Sequence, residues 1–309
     1  MLVVVALGGN ALLRRGEAIG AEIQRRNIAA AADAISEIAQ QHRLVVTHGN
    51  GPQIGLLAEA PSGHRKGETF PLDVLGAESQ GMIGYEIESE LSARLPAHEI
   101  ATLLTQTVVD ANDPAFANPT KPIGRVYPEP VAHQLQTDFG WTLVADGGGF
   151  RRAVPSPSPR RIRETNAIRL LVDAGVIVIC AGGGGVPVTI DALSGRVTGV
   201  EAVIDKDRTA ALLACKLHAD ALLILTDVPA VYTGWGTPSA RAICHANPAG
   251  LSRYRFAEGS MGPKVEAACA FVAATGGFAG IGALSDAAAL LRGDRGTRIA
   301  TTGAELDWY

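Results

Sequence analysis

Three lysines occupy positions that a solvated surface does not call for. In "EAVIDKDRTAALLA" (201–214), Lys206 lies between Asp205 and Asp207 and leads into a helical run, "RTAALLACKLHA". An aspartate at a helix start accepts hydrogen bonds from the unpaired amides there, so Asp205 reads as an N-cap. A lysine at the same end faces the positive pole of the helix dipole, which disfavours it by about 0.3–1 kcal/mol. Lys264, in "GSMGPKVEAA", repeats that placement at a second helix start, just after a proline suited to the first helical position. A strongly negative group resting between the two would explain both. A polyphosphate qualifies, because it takes helix-end amides and ammonium groups together. Lys121, in "NPTKPIG", stands beside Pro122 and two residues after Pro119, so its backbone is held and it reads as a lysine fixed over an anion site. For each lysine alone, a solvent-facing side chain is the plain alternative.

Backbone donors accompany the lysines. Four strand-like runs end in the turns "LGGN" (7–10), "HGNGP" (48–52), "AGGGGVP" (181–187) and "TDVP" (226–229). Glycines there let amides point at an anion without side-chain interference. That makes Gly8, Gly9, Gly49, Gly51, Gly183 and Gly184 candidate contacts, with Asn10 and Asn50 beside them. No turn matches the Walker A pattern or Gly-x-Gly-x-x-Gly, which removes support for a P-loop NTPase and for a dinucleotide binder.

These turns need strands to carry them. "LVVVAL" (2–7), "RLVVTH" (43–48), "ATLLTQTVV" (101–109), "VIVICA" (176–181) and "ALLILT" (221–226) are continuous apolar runs, as in a parallel sheet covered on both faces. Helical spacing appears in 17–41, 74–95, 161–174 and 263–275, within which "AACAFVAA" (267–274) reads as core and "RRIR" (160–163) as a solvated helix start. The alternation predicts a doubly wound α/β sandwich with its ligand crevice at the carboxyl ends of the strands. Residues 111–160 are dense in proline and polar groups with little helical pattern, which predicts a small subdomain inserted into one domain spanning 1–309. "PSPSP" within it reads as an extended connector.

Composition narrows the class. With 309 residues, 47% of them hydrophobic, the chain can bury a large core. Its 27 Lys+Arg against 31 Asp+Glu give a net charge of −4, so no global field draws in nucleic acid or an anionic membrane. The four cysteines form no Cys-x-x-Cys pair, and neither a secretory leader nor a membrane-spanning run is apparent, so a soluble cytoplasmic protein is expected.

The order and spacing of "ALGGNAL", "THGNGPQIG", "PLDVLGAESQGMIGY", "NPTKPIG", "VPSPSP", "CAGGGGVPV", "GVEAVIDKD" and "GSMGPKVEAA" resemble those of the carbamate kinases, members of the amino acid kinase family, over nearly the whole chain. The resemblance implies a homodimer of open three-layer αβα sandwiches, each with a mostly parallel central sheet and a protruding subdomain. It implies reversible phosphoryl transfer between ATP and carbamate. Lys206 would bridge the nucleotide phosphates and the transferred group, Asp207 would orient the lysines, and Lys121 would reach from the lid to the migrating phosphoryl. Lys264 would contact nucleotide phosphates, with Thr226, Asp227, Tyr232 and Met261 completing the nucleotide site. "GGN", "GNG" and Gly183–Gly184 would hold the carbamoyl phosphate end. Mg²⁺ would ride on nucleotide phosphates and water, with no protein ligand assigned. "ADGGGFRRAV" and "LTDVPAVYTGWGTP" depart from the family pattern. His48 reads as a positioning or packing residue, because direct transfer needs no proton shuttle. A kinase of the same fold with an amino-acid carboxylate or nucleoside monophosphate acceptor, or a non-catalytic sensor, are the competing readings.

Overall fold

The computed structural model describes residues 1–13, 17, 20–59, 70–257, 259–303 and 305–309, with backbone alone for Asn10, Ala11 and Glu59. Six parallel strands form the heart of the molecule, in the spatial order Ile100–Thr102, Ile177–Ile179, Arg43–His48, Leu2–Leu7, Ala221–Thr226 and Phe278–Ala283. Beyond Phe278–Ala283 the sheet turns mixed. Thr297–Ile299 pairs antiparallel to it, and Arg241–Ala246, Val231–Thr233 and Leu306–Trp308 follow.

Alternate residues of Leu2–Leu7 face opposite layers, as the two-residue strand repeat requires. Leu2, Val4 and Ala6 pack into one apolar core with the helices Lys206–Leu217 and Met261–Thr275. Val3, Val5 and Leu7 enter a second core under the helices Ala21–Ala39 and Leu72–Arg94. Helices on both faces leave all six residues of that strand buried, which is why it reads as an unbroken apolar run. The expected three-layer αβα sandwich is what the chain adopts.

Several elements differ from expectation. The run 101–109 is two strands: Ile100–Thr102 closes the large sheet, while Gln106–Val108 joins a separate four-stranded sheet with Val186–Ile190, Val197–Gly199 and Arg161–Ile162. Only residues 103–105 separate the two strands, so the sequence shows no clear break. Arg161–Ile162 is therefore strand rather than helix start, and the helix begins at Thr165. Residues 111–160 hold more regular structure than their prolines suggest. Lys121–Tyr127, Thr142–Asp146 and Gly149–Val154 form a three-stranded sheet, with the helix Glu129–Phe139 between the first two strands. That helix starts after Pro128 and stops at Gly140 in the left-handed region, so its proline and glycine are end signals rather than interruptions.

Phe271, fully buried in the helix Met261–Thr275, is the largest side chain in the first core. Phe271→Ala is expected to lower unfolding free energy by about 3–5 kcal/mol, read from urea denaturation. A loss under about 1 kcal/mol would contradict this packing.

Candidate active site

The strands Ile177–Ile179, Arg43–His48, Leu2–Leu7 and Ala221–Thr226 are consecutive in the sheet and parallel, so their terminal turns lie side by side. Gly8 donates its amide to Leu225 O at 3.0 Å, which locks the first turn to the end of the neighbouring strand. A Cβ on Gly49 would lie 2.9 Å from Gly9 N and 3.5 Å from the Cδ of Lys206, so the two glycine turns and the lysine meet at one point. A side chain at Gly183 would collide with Asn50, and one at Gly184 would approach Ile204 O to 2.6 Å. Gly183 and Gly184 also adopt φ of 63° and 91°, where side chains are strained. Thr209 Oγ1 donates to Gly184 O at 3.0 Å, which fastens this turn to the helix Lys206–Leu217.

Lys206 is the first residue of that helix, and Asp205 is its N-cap, accepting from the amides of Asp207 and Arg208 at 2.9 and 3.1 Å. Asp207 is the hub. Its Oδ1 accepts from Lys206 Nζ at 2.6 Å and its Oδ2 from Lys264 Nζ at 2.9 Å. The other oxygen of Asp205, Oδ2, takes Lys121 Nζ at 3.1 Å, across from the three-stranded sheet. Three ammonium groups thus face two carboxylates, which leaves one positive charge in excess. Lys264 is the fourth residue of its helix rather than the second, because the helix starts at Met261 and Pro263 sits inside its first turn.

Burial sharpens these charges. Asp207 is only 4% exposed at its side chain, and Lys206 and Lys264 are 11% and 14% exposed. Burial pushes the Asp207 carboxyl pKa up, but Lys206 and Lys264 overcome it and hold the group below the usual carboxylate range. Asp205 behaves alike, with Lys121 and Lys206 outweighing its own desolvation. Burial pulls Lys206 below the ordinary lysine value despite Asp207, whereas for Lys264 the carboxylate prevails over burial and raises it.

His48 is fully buried and its pKa is pushed down to about 4 by desolvation, against the opposing bond from its Nδ1–H to Gly49 O at 3.0 Å. It is neutral and wedged against Gly182, whose missing side chain makes room for the ring. That geometry suits a packing and positioning residue.

The remaining candidates are more loosely placed. Gly51 opens the helix Gly51–Glu59, with open space where a Cβ would stand. The side chain of Asn10 lies outside the described residues. Thr226 is buried at its strand end and donates to Asp227 Oδ1 at 3.1 Å. Tyr232 lies on the strand Val231–Thr233, its ring 5.0 Å from Trp235, and Met261 packs onto the first core. Neither is bonded to the lysine cluster. Two residues escaped sequence reasoning. Ser79 Oγ accepts from Asn50 Nδ2 at 2.8 Å and donates to Gly76 O, which fixes the amide of the second turn. Thr209 is the other. A polar residue one turn after Asp205 was the available signal for Thr209, whereas nothing in "GAESQG" marks Ser79.

Among the described residues, no group of three or more His, Cys, Asp or Glu side chains is placed to hold a metal. Asp205 and Asp207 already serve lysines, so a hard cation beside them would be carried chiefly by phosphate oxygens.

The state of His48 predicts an acid-sensitive window. The unfolded chain binds a proton near pH 6.5 that the folded chain refuses until about pH 4, so stability falls as pH falls through that interval. Between pH 7.5 and pH 5 the loss is on the order of 2 kcal/mol. Urea midpoints measure it, and His48→Gln should flatten the dependence there. Asp205 and Asp207 contribute below that window, because their stabilisation is lost only as pH falls through their depressed folded values.

Comparison with known proteins shows the family. The family model described as "Amino acid kinase family" matches residues 1–277. A carbamate kinase of Rhizobium meliloti is 54% identical over 311 residues, covering 100% of this chain and 96% of its own length. One from Haemophilus influenzae is 50% identical, covering 100% of both. The structure of Giardia lamblia carbamate kinase bound to AMP-PNP superposes with a TM-score of 0.87 at 42% identity, covering 97% of this chain and 98% of that one. The chain belongs to the amino acid kinase family, on its carbamate kinase branch.

Proposed function

We infer that the chain catalyses reversible phosphoryl transfer between ATP and carbamate. The observation that carries this reading is Asp207 holding Lys206 and Lys264 together at the edge where the glycine turns meet. Carbamate is already an oxyanion, so no base is needed to make it a nucleophile. The protein has to hold two anionic reactants in line and neutralise charge on the moving phosphoryl group.

In this reading the three glycine turns hold the carbamoyl phosphate end: the amides of Gly9, Asn10, Asn50, Gly51 and Gly183 grip it, while Gly8, Gly49 and Gly184, whose amides donate to Leu225 O, Leu7 O and Ala181 O, shape the turns. Lys206 spans the nucleotide phosphates and the transferred group, and Lys264 contacts the nucleotide phosphates. Asp207 fixes the directions of both ammonium groups. Lys121 reaches the migrating phosphoryl from residues 111–160, which act as a lid. Thr226, Asp227, Tyr232 and Met261 border the nucleotide. Kinase activity with ATP implies a divalent cation, and we take it to be Mg²⁺, which offsets phosphate charge. The product of the ATP-consuming direction is a mixed anhydride, so the reverse direction, ATP formation from carbamoyl phosphate, runs downhill.

We also propose a homodimer, supported by the exposed apolar side chains Met82 and Tyr85 on the helix Leu72–Arg94. Sedimentation at micromolar concentration tests it. A cytoplasmic setting fits the four unpaired cysteines, and no described helix is long and apolar enough to cross a membrane.

ATP formation from ADP and carbamoyl phosphate, with acetyl phosphate in parallel, tests the reaction. Rapid turnover of the carbamoyl compound is expected, and preference for acetyl phosphate would move the protein to another acyl-phosphate kinase. Lys206→Ala should lower kcat by at least about 10³-fold in a folded protein; near-normal rates would remove Lys206 from the mechanism. Lys121→Ala should lower kcat more than it weakens ADP binding, whereas equal losses would place that lysine on the nucleotide.

A further inference from the structure

We propose that Gly55 and Gly124 form the seat that sets the reach of Lys121, so that both glycines are positioning residues for the transfer step. The inference rests on the reading of Lys121 given above. Gly55 lies inside the helix Gly51–Glu59, where φ is ordinary and alanine would suit the helix better. What forbids a side chain is the opposite strand. A Cβ on Gly55 would overlap the Cα and N of Gly124.

Gly124 belongs to the strand Lys121–Tyr127 and has φ of 72°, at an irregularity in its pairing with Gly149–Val154 between Ile123 and Tyr127. A bulge of this kind bends a strand locally, and here the bend is pressed against the helix. Around the glycine pair, Ile54, Leu75, Ile123 and Val154 close an apolar seam. Arg152 lies over the Trp141 ring at 4.9 Å beside it. The contact joins two functional pieces. The helix begins at Gly51 of the second glycine turn, and the strand begins at Lys121, whose Nζ is 3.1 Å from Asp205. Backbone meets backbone at the seat, so no rotamer change can absorb a methyl group. Alanine at position 55 would force the strand and helix apart by roughly 1 Å or more. A displacement of that size at a reacting centre can cost about 10²-fold in rate.

The test is a double-mutant cycle on the full chain, following ATP formation from ADP and carbamoyl phosphate for the wild type, Gly55→Ala, Lys121→Ala and the double variant. Gly55→Ala should lower kcat by about 10- to 100-fold, keep KM for ADP within about threefold, and lower the thermal midpoint while leaving the protein folded at the assay temperature. In the Lys121→Ala background it should cause no further loss. Gly124→Ala, at the strand position that the Gly55 Cβ would strike and where φ of 72° disfavours a side chain, should show the same split and serves if Gly55→Ala does not fold. A slow Lys121→Ala enzyme combined with a Gly55→Ala rate within twofold of wild type overturns the seat alone. So does a Gly55→Ala loss that multiplies in full with that of Lys121→Ala. A normal rate for Lys121→Ala overturns the reading of that lysine and the seat with it.

Discussion

One carboxylate shared by two ammonium groups organises this molecule's candidate active site. Asp207 is buried, and its two oxygens are divided between Lys206 and Lys264. A buried ion pair returns little net stability for the desolvation it entails, and removing one partner is costly. On the proposed reading its benefit lies elsewhere: the carboxylate sets the directions of two cations before any ligand arrives, so their electrostatic effect would need no reorganisation during transfer. Asp205 extends the pattern by capping the helix with one oxygen and holding Lys121 with the other. The lysine that looks misplaced against the helix dipole is thus stabilised by its own neighbour in sequence.

The parallel sheet supplies the remaining constraint. Four adjacent strands deliver their turns to one edge, and steric fit at that edge admits glycine at several positions. Gly49 abuts Gly9, Gly182 abuts His48, and Gly183 abuts Asn50. Close backbone approach leaves no room for side chains at these positions. His48 illustrates the cost of such density, since its ring is neutral and buried where a charged one could not be accommodated.

Much of this was legible in the residues. Apolar runs bounded by glycine turns marked the strands, because a parallel sheet covered on both faces erases the polar alternation of an exposed one. The run 101–109 misled for another reason: only residues 103–105 separate two strands that belong to different sheets. Residues 111–160 misled in the other direction, since Pro128 and Gly140 bound a helix there instead of preventing one. At the candidate site, "DKD" flagged Lys206 but not the partners of its two carboxylates. Lys121 lies 84 residues from Asp205, and Lys264 lies 57 from Asp207. Pairings at such separations follow from topology, which one sequence encodes only through its fold. Ser79 and the Gly55–Gly124 contact belong to the same class.

The arrangement of charge around Asp207 is most directly tested by a crystal structure with a non-hydrolysable ATP analogue bound. The account predicts phosphate oxygens within hydrogen-bond distance of Lys206 Nζ and Lys264 Nζ while Asp207 still holds both lysines. A phosphate chain bound at another edge of the sheet, with the two lysines touching only Asp207, would contradict it.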